Sequence, residues 1–316
     1  MKAVVIAGHR VSWEDRPDPV PGGHDLLVRV DAAGLNGADL LQRAGHYPPP
    51  RGVPADQPGL ECAGVVEAVG DRVATFRAGD RVMALLPGAA QAELACVHER
   101  LATAVSEPLT MVEAGGFPEV FATAHDALFG QAGLSMGERL LVTGGAGGVG
   151  LAAIQLGVAA GATVVASVRD TRLHDRVSAL GATCADPATA FTLGPFDVVL
   201  ELVGGPSLPP AVNSLAPWGR VVVIGLGGGA RTELNLSVLM ERRGTVRSSS
   251  LRNRSLEEKA LVIRRLEHHV LPLMAAGRAR VLVEQVYPFA QVQEAYERFA
   301  AGGKLGKIVL TPGAPA

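Results

Sequence analysis

The chain has 316 residues, 48% of them hydrophobic and 19% charged, with a formal net charge of −2. This describes a soluble globular protein of about two domains and excludes a polybasic binder of nucleic acid or membrane surfaces. No apolar run reaches the roughly 18 residues of a membrane span, and Cys62, Cys96 and Cys184 make neither a disulfide framework nor a cysteine-rich zinc site.

The first residues run directly into a strand-like segment at 3–6 without a signal-peptide pattern, which predicts a cytoplasmic protein. A Pro/Gly-rich connector leads to a second strand at 26–30. In the segment 32–50, Asn36 and Asp39 suit a helix start, 40–43 make one helical turn, and Gly45 and the prolines end it. Segments 58–70 and 78–87 read as strands broken by glycines, with another strand at 91–97, the texture of a small, sharply bent β domain. Residues 109–133 are predicted helical, with Phe117, Val120, Phe121, Ala124 and Leu128 on one stripe.

The central signal is the stretch 138–170. An apolar strand at 140–142 precedes a glycine-dense turn, then apolar residues at helical spacing, then a second strand at 163–168. Gly145, Gly147 and Gly150 fall at G-x-G-x-x-G spacing inside this βαβ unit. The glycines allow a tight turn, bare backbone against a pyrophosphate, and close helix–strand packing. Gly145, Ala146, Gly147, Gly148, Val149 and Gly150 are therefore the predicted phosphate cradle at the positive end of a helix. Further strands at 196–200, 220–224 and 245–248 alternate with helices in a doubly wound parallel pattern, and Gly225 and Leu226 follow one of them at its ligand-binding edge. A helix at 256–276 and a strand–helix–strand tail at 281–286, 290–301 and 307–311 complete the chain, the tail returning to the first domain.

The blocks AAGLNGADLLQRAGHYPPP, PGLECAGVVEAVG, GDRVMALLPG, FPEVFATAHDALF, GGAGGVGLAAIQL, SSSLRNRSLEEKA and GKIVL span nearly the whole chain. Through them it resembles the zinc-free quinone oxidoreductases (ζ-crystallin-like) of the medium-chain dehydrogenase/reductase superfamily, most of all the p53-inducible quinone oxidoreductase branch. The resemblance implies an α/β fold. A discontinuous GroES-like β-barrel catalytic domain (1–113 and 257–316) would flank a doubly wound Rossmann domain (114–256). Where zinc-bearing relatives place Cys and His ligands, this chain has Asn36 and Leu60, and leucine cannot bind a metal, so no zinc is expected. The acceptor would then be one that takes hydride without a Lewis acid, a quinone or a conjugated enone.

By the same resemblance Asn36 and Tyr47 are the catalytic candidates, against the alternatives of a helix cap and a packed tyrosine. Thr123, Val203, Leu251, Arg252 and Lys307 join the cofactor set. The alternatives there are a back-bonding threonine in a helix for Thr123, a solvated arginine for Arg252 and an exposed strand charge for Lys307. Cofactor choice rests on the tip of the second strand. Ser167 is followed by Arg169 and Arg172, which suit the extra phosphate of NADPH, and this outweighs Asp170, which would favour NADH. Gln42 and Asp39 read as helix-face residues, and His125, His268 and His269 as surface positions. Gln91 stands where relatives carry an aromatic. The expected function is NADPH-dependent quinone reduction; an enoyl or enone reductase and a low-turnover NADPH-binding protein are the alternatives. The strand at 245–248 would pair across a two-fold axis into a homodimer.

Overall fold

The structure, a computed structural model, describes residues 1–313; the end of the expected 257–316 segment lies outside the described residues. The strands in chain order are β1 (Lys2–Ala7), β2 (Arg10–Asp15), β3 (Asp25–Gly34), β4 (Glu61–Val69), β5 (Arg81–Leu85), β6 (Leu94–His98) and β7 (Ala102–Ala104). They continue as β8 (Arg139–Val142), β9 (Thr163–Ser167), β10 (Thr183–Ala185), β11 (Phe196–Glu201), β12 (Leu215–Val223), β13 (Thr245–Ser248), β14 (Val283–Pro288) and β15 (Lys307–Thr311). Two compact units result. The first contains Met1–Val120, Leu251–Ala276 and the chain from Val281 onward; the second contains Phe121–Ser250 and Gly277–Arg280.

The divisions differ from 113/114 and 256/257 for local reasons. Leu251 and Arg252 are buried in the first unit. Residues 277–280 stay with the second because Gln155 grips Arg280 at both ends: the Arg280 N–H donates to Gln155 Oε1 (2.9 Å), and Gln155 Nε2 donates to the Arg280 carbonyl (3.1 Å).

In the first unit β1 and β2 form an antiparallel hairpin, and the main sheet runs β14-β15-β3-β4-β5-β7, with β6 also paired to β3. The alternation of β3 sends Leu26, Val28 and Val30 inward. Register shifts between Leu27 and Val28 and between Val30 and Ala32 bend the strand. A core of Val28, Val30, Cys62, Val66, Val82, Val97, Ile308 and Leu310 closes over Phe289 and Tyr296. The single helix expected at 256–276 is two, Leu256–His269 and Leu271–Ala275, because Pro272 has no N–H to continue the ladder.

The second unit is a six-stranded parallel sheet, β10-β9-β8-β11-β12-β13. Strand order reverses between β8 and β11, and the carboxyl ends of strands at such a switch point frame the ligand crevice of doubly wound sheets. The helix Gly148–Ala159 packs closely on β8: a Cβ at Gly157 would lie 2.7 Å from Leu140 Cδ2. The predicted helical run 109–133 is interrupted after Gly115 and ends in a π-helical turn, Asp126–Gln131. His125 is a correction to the sequence reading: it is 3% exposed, its ring 5.0 Å from that of Phe129, because it continues the apolar stripe of its helix rather than facing water.

Candidate active site

In the second unit β8 feeds directly into the glycine turn. Gly145 N–H donates to the Ser167 carbonyl at the end of β9 (2.9 Å), and Gly147 N–H to Gly144 (3.0 Å), so the turn is tied to the tip of the second strand. Gly147 is the N-cap of the helix Gly148–Ala159, and no side chain caps it. A Cβ at Gly150 would sit 2.5 Å from the Gly144 carbonyl oxygen, whereas one at Gly147 would meet only that oxygen, at 3.4 Å. Gly150 is thus required by packing, and Gly147 leaves open space at the positive helix end. A helix start left open in this way has the free N–H groups and the space that a pyrophosphate requires. Ala146, Gly148 and Val149 are partly exposed around it.

At the tip of β9, Ser167 is 4% exposed and Arg169 points to solvent. Asp170 is turned onto Arg172, accepting from its Nε (2.9 Å) and Nη2 (2.7 Å). That guanidinium holds the Asp170 carboxyl down at about 2. Across the switch point Glu201, fully buried, accepts from the N–H groups of Val203 (2.7 Å) and Gly204 (2.9 Å) and from Ser207 Oγ (2.7 Å). It fixes the loop after β11. Gly225 N–H reaches back to the Glu201 carbonyl (3.2 Å), and Leu226 is exposed beside it. Thr123 is partly buried on the helix Pro118–His125.

The first unit holds a buried polar cluster. Lys307 Nζ donates to Glu61 Oε1 (2.6 Å), Asn36 Oδ1 (2.7 Å) and the Leu35 carbonyl (2.7 Å), so its three hydrogens are all used. Asn36 Nδ2 donates to the same Glu61 oxygen (2.9 Å), and the Glu119 N–H donates to Glu61 Oε2 (2.8 Å). Lys307 is 3% exposed and Glu61 0%. The exposed-strand alternative for Lys307 is therefore overturned: the apolar faces of β15 and β4 carry the pair inside. Asn36 does begin the helix Gly37–Arg43, but its side chain faces Glu61 and Lys307, and its N–H donates to Asp39 Oδ2 (2.8 Å).

Asp39 and Gln42 are likewise corrected from helix-face residues to buried ones, because the face of this short helix that carries them is covered by residues 55, 59, 91 and 252. Asp39 accepts from Gly59 N–H (3.1 Å) and Gln91 Nε2 (3.3 Å), and Gln91 Oε1 accepts from the buried Tyr296 hydroxyl (2.8 Å). Burial raises the Asp39 carboxyl to about 6 against the pull of these N–H groups and of Lys307. Gln42 Oε1 accepts from Arg252 Nη2 (2.6 Å), whose Nε and Nη1 donate to the carbonyls of Pro87 (2.7 Å) and Tyr47 (2.9 Å). The guanidinium lies 4.9 Å from the centre of the partly buried Tyr47 ring. Arg252 is 5% exposed, so it is not a solvated arginine.

Sequence reasoning missed Glu61, Glu119 and Tyr296. A charged residue opening an otherwise apolar strand, matched by a lysine in a second apolar strand, was the available signal for Glu61 and Lys307. Nothing local pointed to Glu119. The donor set around Glu61 does not suit zinc: a lysine ammonium already sits on its carboxylate. Among the described residues no three His, Cys, Asp or Glu side chains are grouped to hold a metal.

Residues 22–130 match the alcohol dehydrogenase GroES-like domain family and residues 161–310 the zinc-binding dehydrogenase family. The mouse synaptic vesicle membrane protein VAT-1 homolog-like is 30% identical over 340 residues, covering 98% of this chain and 81% of that protein. Among solved structures, mycobacterial Rv1454c complexed with NADPH superposes with a TM-score of 0.87 at 26% identity, covering 99% of this chain and all of that one. The CurK enoyl reductase superposes at 0.83 and 25% identity, covering 98% of each. The chain belongs to the medium-chain dehydrogenase/reductase superfamily, among its quinone-oxidoreductase-like members. It is an oxidoreductase of that type, with a GroES-like domain and a Rossmann domain. Among the described residues no helix is long and apolar enough to cross a membrane.

Proposed function

We propose that the protein is a zinc-independent, NADPH-dependent reductase of conjugated carbonyl acceptors, with quinones as its leading substrate class. The observation that carries this is the uncapped helix start at Gly147, open to a diphosphate at the switch point of a doubly wound sheet. A bound NADPH supplies a hydride. Gly145 to Gly150 hold its pyrophosphate, Arg169 and Arg172 its ribose phosphate, and Val203, Gly225 and Leu226 flank the nicotinamide. Thr123, Leu251 and Arg252 complete the cofactor set; Lys307 acts through Asn36, since its own hydrogens are committed. Asn36 and Tyr47 orient the acceptor, and Tyr47 offers a phenol donor to its oxygen. A hydroquinonate takes its proton from solvent, so quinone reduction asks for no general acid.

The second reading, reduction of an enone or enoyl thioester, is favoured by the likeness to the CurK enoyl reductase. A panel of 1,4-quinones, enones and enoyl thioesters with NADPH oxidation as readout separates the two. Tight NADPH binding with no turnover anywhere in the panel would instead mark a nucleotide-binding protein of low activity. We also propose a homodimer through β13. Its residues are largely exposed, and Trp218 on the neighbouring β12 and Leu236 and Met240 on the helix Leu236–Arg242 are 67%, 64% and 77% exposed. Sedimentation at micromolar concentration as a monomer overturns this.

A further inference from the structure

Within the second unit, the loops that follow β11 and β12 meet beside the glycine turn. On the nucleotide reading above, we infer that Glu201 is the positioning residue for the nicotinamide half of the cofactor. Its buried carboxylate sets the two loops that carry Val203, Gly225 and Leu226, and so the surface on which the ring rests.

Glu201 is the last residue of β11 and is 0% exposed. A carboxylate closing so apolar a strand must find donors, because an unsatisfied buried one is strongly disfavoured. It finds them in the loop that it precedes. Oε1 accepts from the N–H groups of Val203 (2.7 Å) and Gly204 (2.9 Å), and Oε2 accepts from Ser207 Oγ (2.7 Å). The chain from 203 to 207 is thereby folded back over the strand end. The main chain of the same residue holds the other loop: the Glu201 carbonyl accepts from the N–H groups of Ile224 (2.9 Å) and Gly225 (3.2 Å).

Further contacts make the two loops one body. Thr143, buried at the end of β8, accepts the Leu202 N–H on its Oγ1 (2.8 Å), and the Gly228 N–H donates to the Val203 carbonyl (2.7 Å). Gly204, at a φ of +86°, lies so close to the second loop that a Cβ there would sit 2.7 Å from the Gly225 carbonyl oxygen and 2.8 Å from that of Gly229. The N–H groups of Val203 and Gly225 are thus both committed to Glu201, while Val203 stays partly exposed and Leu226 exposed. Those side chains are presented to a ligand; Glu201 itself is shut away from it. The glycine turn is anchored separately, through the Ser167 and Gly144 carbonyls. Loosening Glu201 therefore acts on the ring end and spares the phosphate end.

The test is calorimetric titration with NADPH and with 2′-phospho-ADP-ribose, which carries the same phosphates without the nicotinamide ring. Wild type is expected to bind NADPH more tightly than the fragment. Glu201→Ala should weaken NADPH about tenfold, on the scale of one lost hydrogen bond, and leave the fragment within about twofold. Glu201→Gln should hold NADPH within about threefold, since its amide oxygen still accepts both N–H groups and its NH2 reaches Ser207. Ser207→Ala, a milder variant that is informative even if Glu201→Ala does not fold, should weaken NADPH about threefold with the fragment unchanged. A merely structural glutamate would lower both affinities together. Equal losses for the two ligands in Glu201→Ala, or an unchanged NADPH affinity in Ser207→Ala, overturn the assignment, as does a wild type that binds NADPH no more tightly than the fragment. Wild type binding neither ligand sinks the nucleotide reading itself.

Discussion

Lys307 Nζ lies 2.6 Å from Glu61 Oε1, across 246 residues of chain, with both side chains closed off from water. The pair joins β15 to β4 inside the first unit. Removing one partner leaves the other charge buried, which costs about 3–5 kcal/mol. Lys307→Met is expected to destabilise the protein by that amount in urea unfolding. Lys307→Met with Glu61→Gln should recover a large part, because the uncompensated charge is gone while the Glu119 N–H keeps an oxygen acceptor. A double variant no more stable than Lys307→Met counts against the pair as the source of the cost.

The two glycines of the nucleotide turn should respond differently. At Gly150 a methyl would meet the Gly144 carbonyl at 2.5 Å, so Gly150→Ala distorts the turn and lowers both melting temperature and NADPH affinity. At Gly147 the nearest atom is 3.4 Å away, and the backbone φ of −74° suits any residue. Gly147→Ala should keep the wild-type melting temperature and lose NADPH affinity by about tenfold, about 1.4 kcal/mol, through intrusion on the ligand alone. Calorimetric titration beside thermal melts distinguishes the two. Equal affinity for wild type and Gly147→Ala removes the pyrophosphate from this turn.

The Rossmann unit was legible because its pattern is local. Gly145, Gly147 and Gly150 sit within six residues, and the flanking apolar runs set strand and helix by period. The cluster in the first unit was not, because Asn36, Glu61, Glu119 and Lys307 meet only through tertiary pairing of β15 with β3 and β3 with β4. Asp39 and Gln42 looked like an ordinary polar helix face; what covers that face comes from residues 55, 59, 91 and 252. His125 misled for a related reason, since a histidine on an apolar stripe is buried by its neighbours rather than by its own polarity.

Cofactor choice can be read at Arg172. Its side chain is 84% exposed and paired with Asp170, so it is available to a ribose 2′-phosphate if that pair exchanges. Arg172→Ala is expected to weaken NADPH binding about tenfold while NADH binding stays within twofold, because NADH has no 2′-phosphate to lose. Asp170→Ala frees the guanidinium and should tighten NADPH further. Matching losses for both nucleotides in Arg172→Ala place the phosphate elsewhere.

The Glu119 carboxyl, which burial first and the Glu61 charge second push up, has a signature in stability. Its folded value, about 8, lies above the ordinary 4.5, so between these the folded state binds more protons than the unfolded chain. Stability from this group is complete below about pH 4.5 and is lost as pH rises through about 8. Glutamine cannot ionise, so Glu119→Gln removes that slope. The difference in melting temperature, variant minus wild type, should therefore increase from pH 5 to about pH 8 and level off above it. Taking this difference cancels groups common to both proteins, including Lys304, whose amine burial lowers to about 7 and whose linkage runs in the opposite direction above that pH. A flat difference across the range means that Glu119 ionises normally in the folded protein.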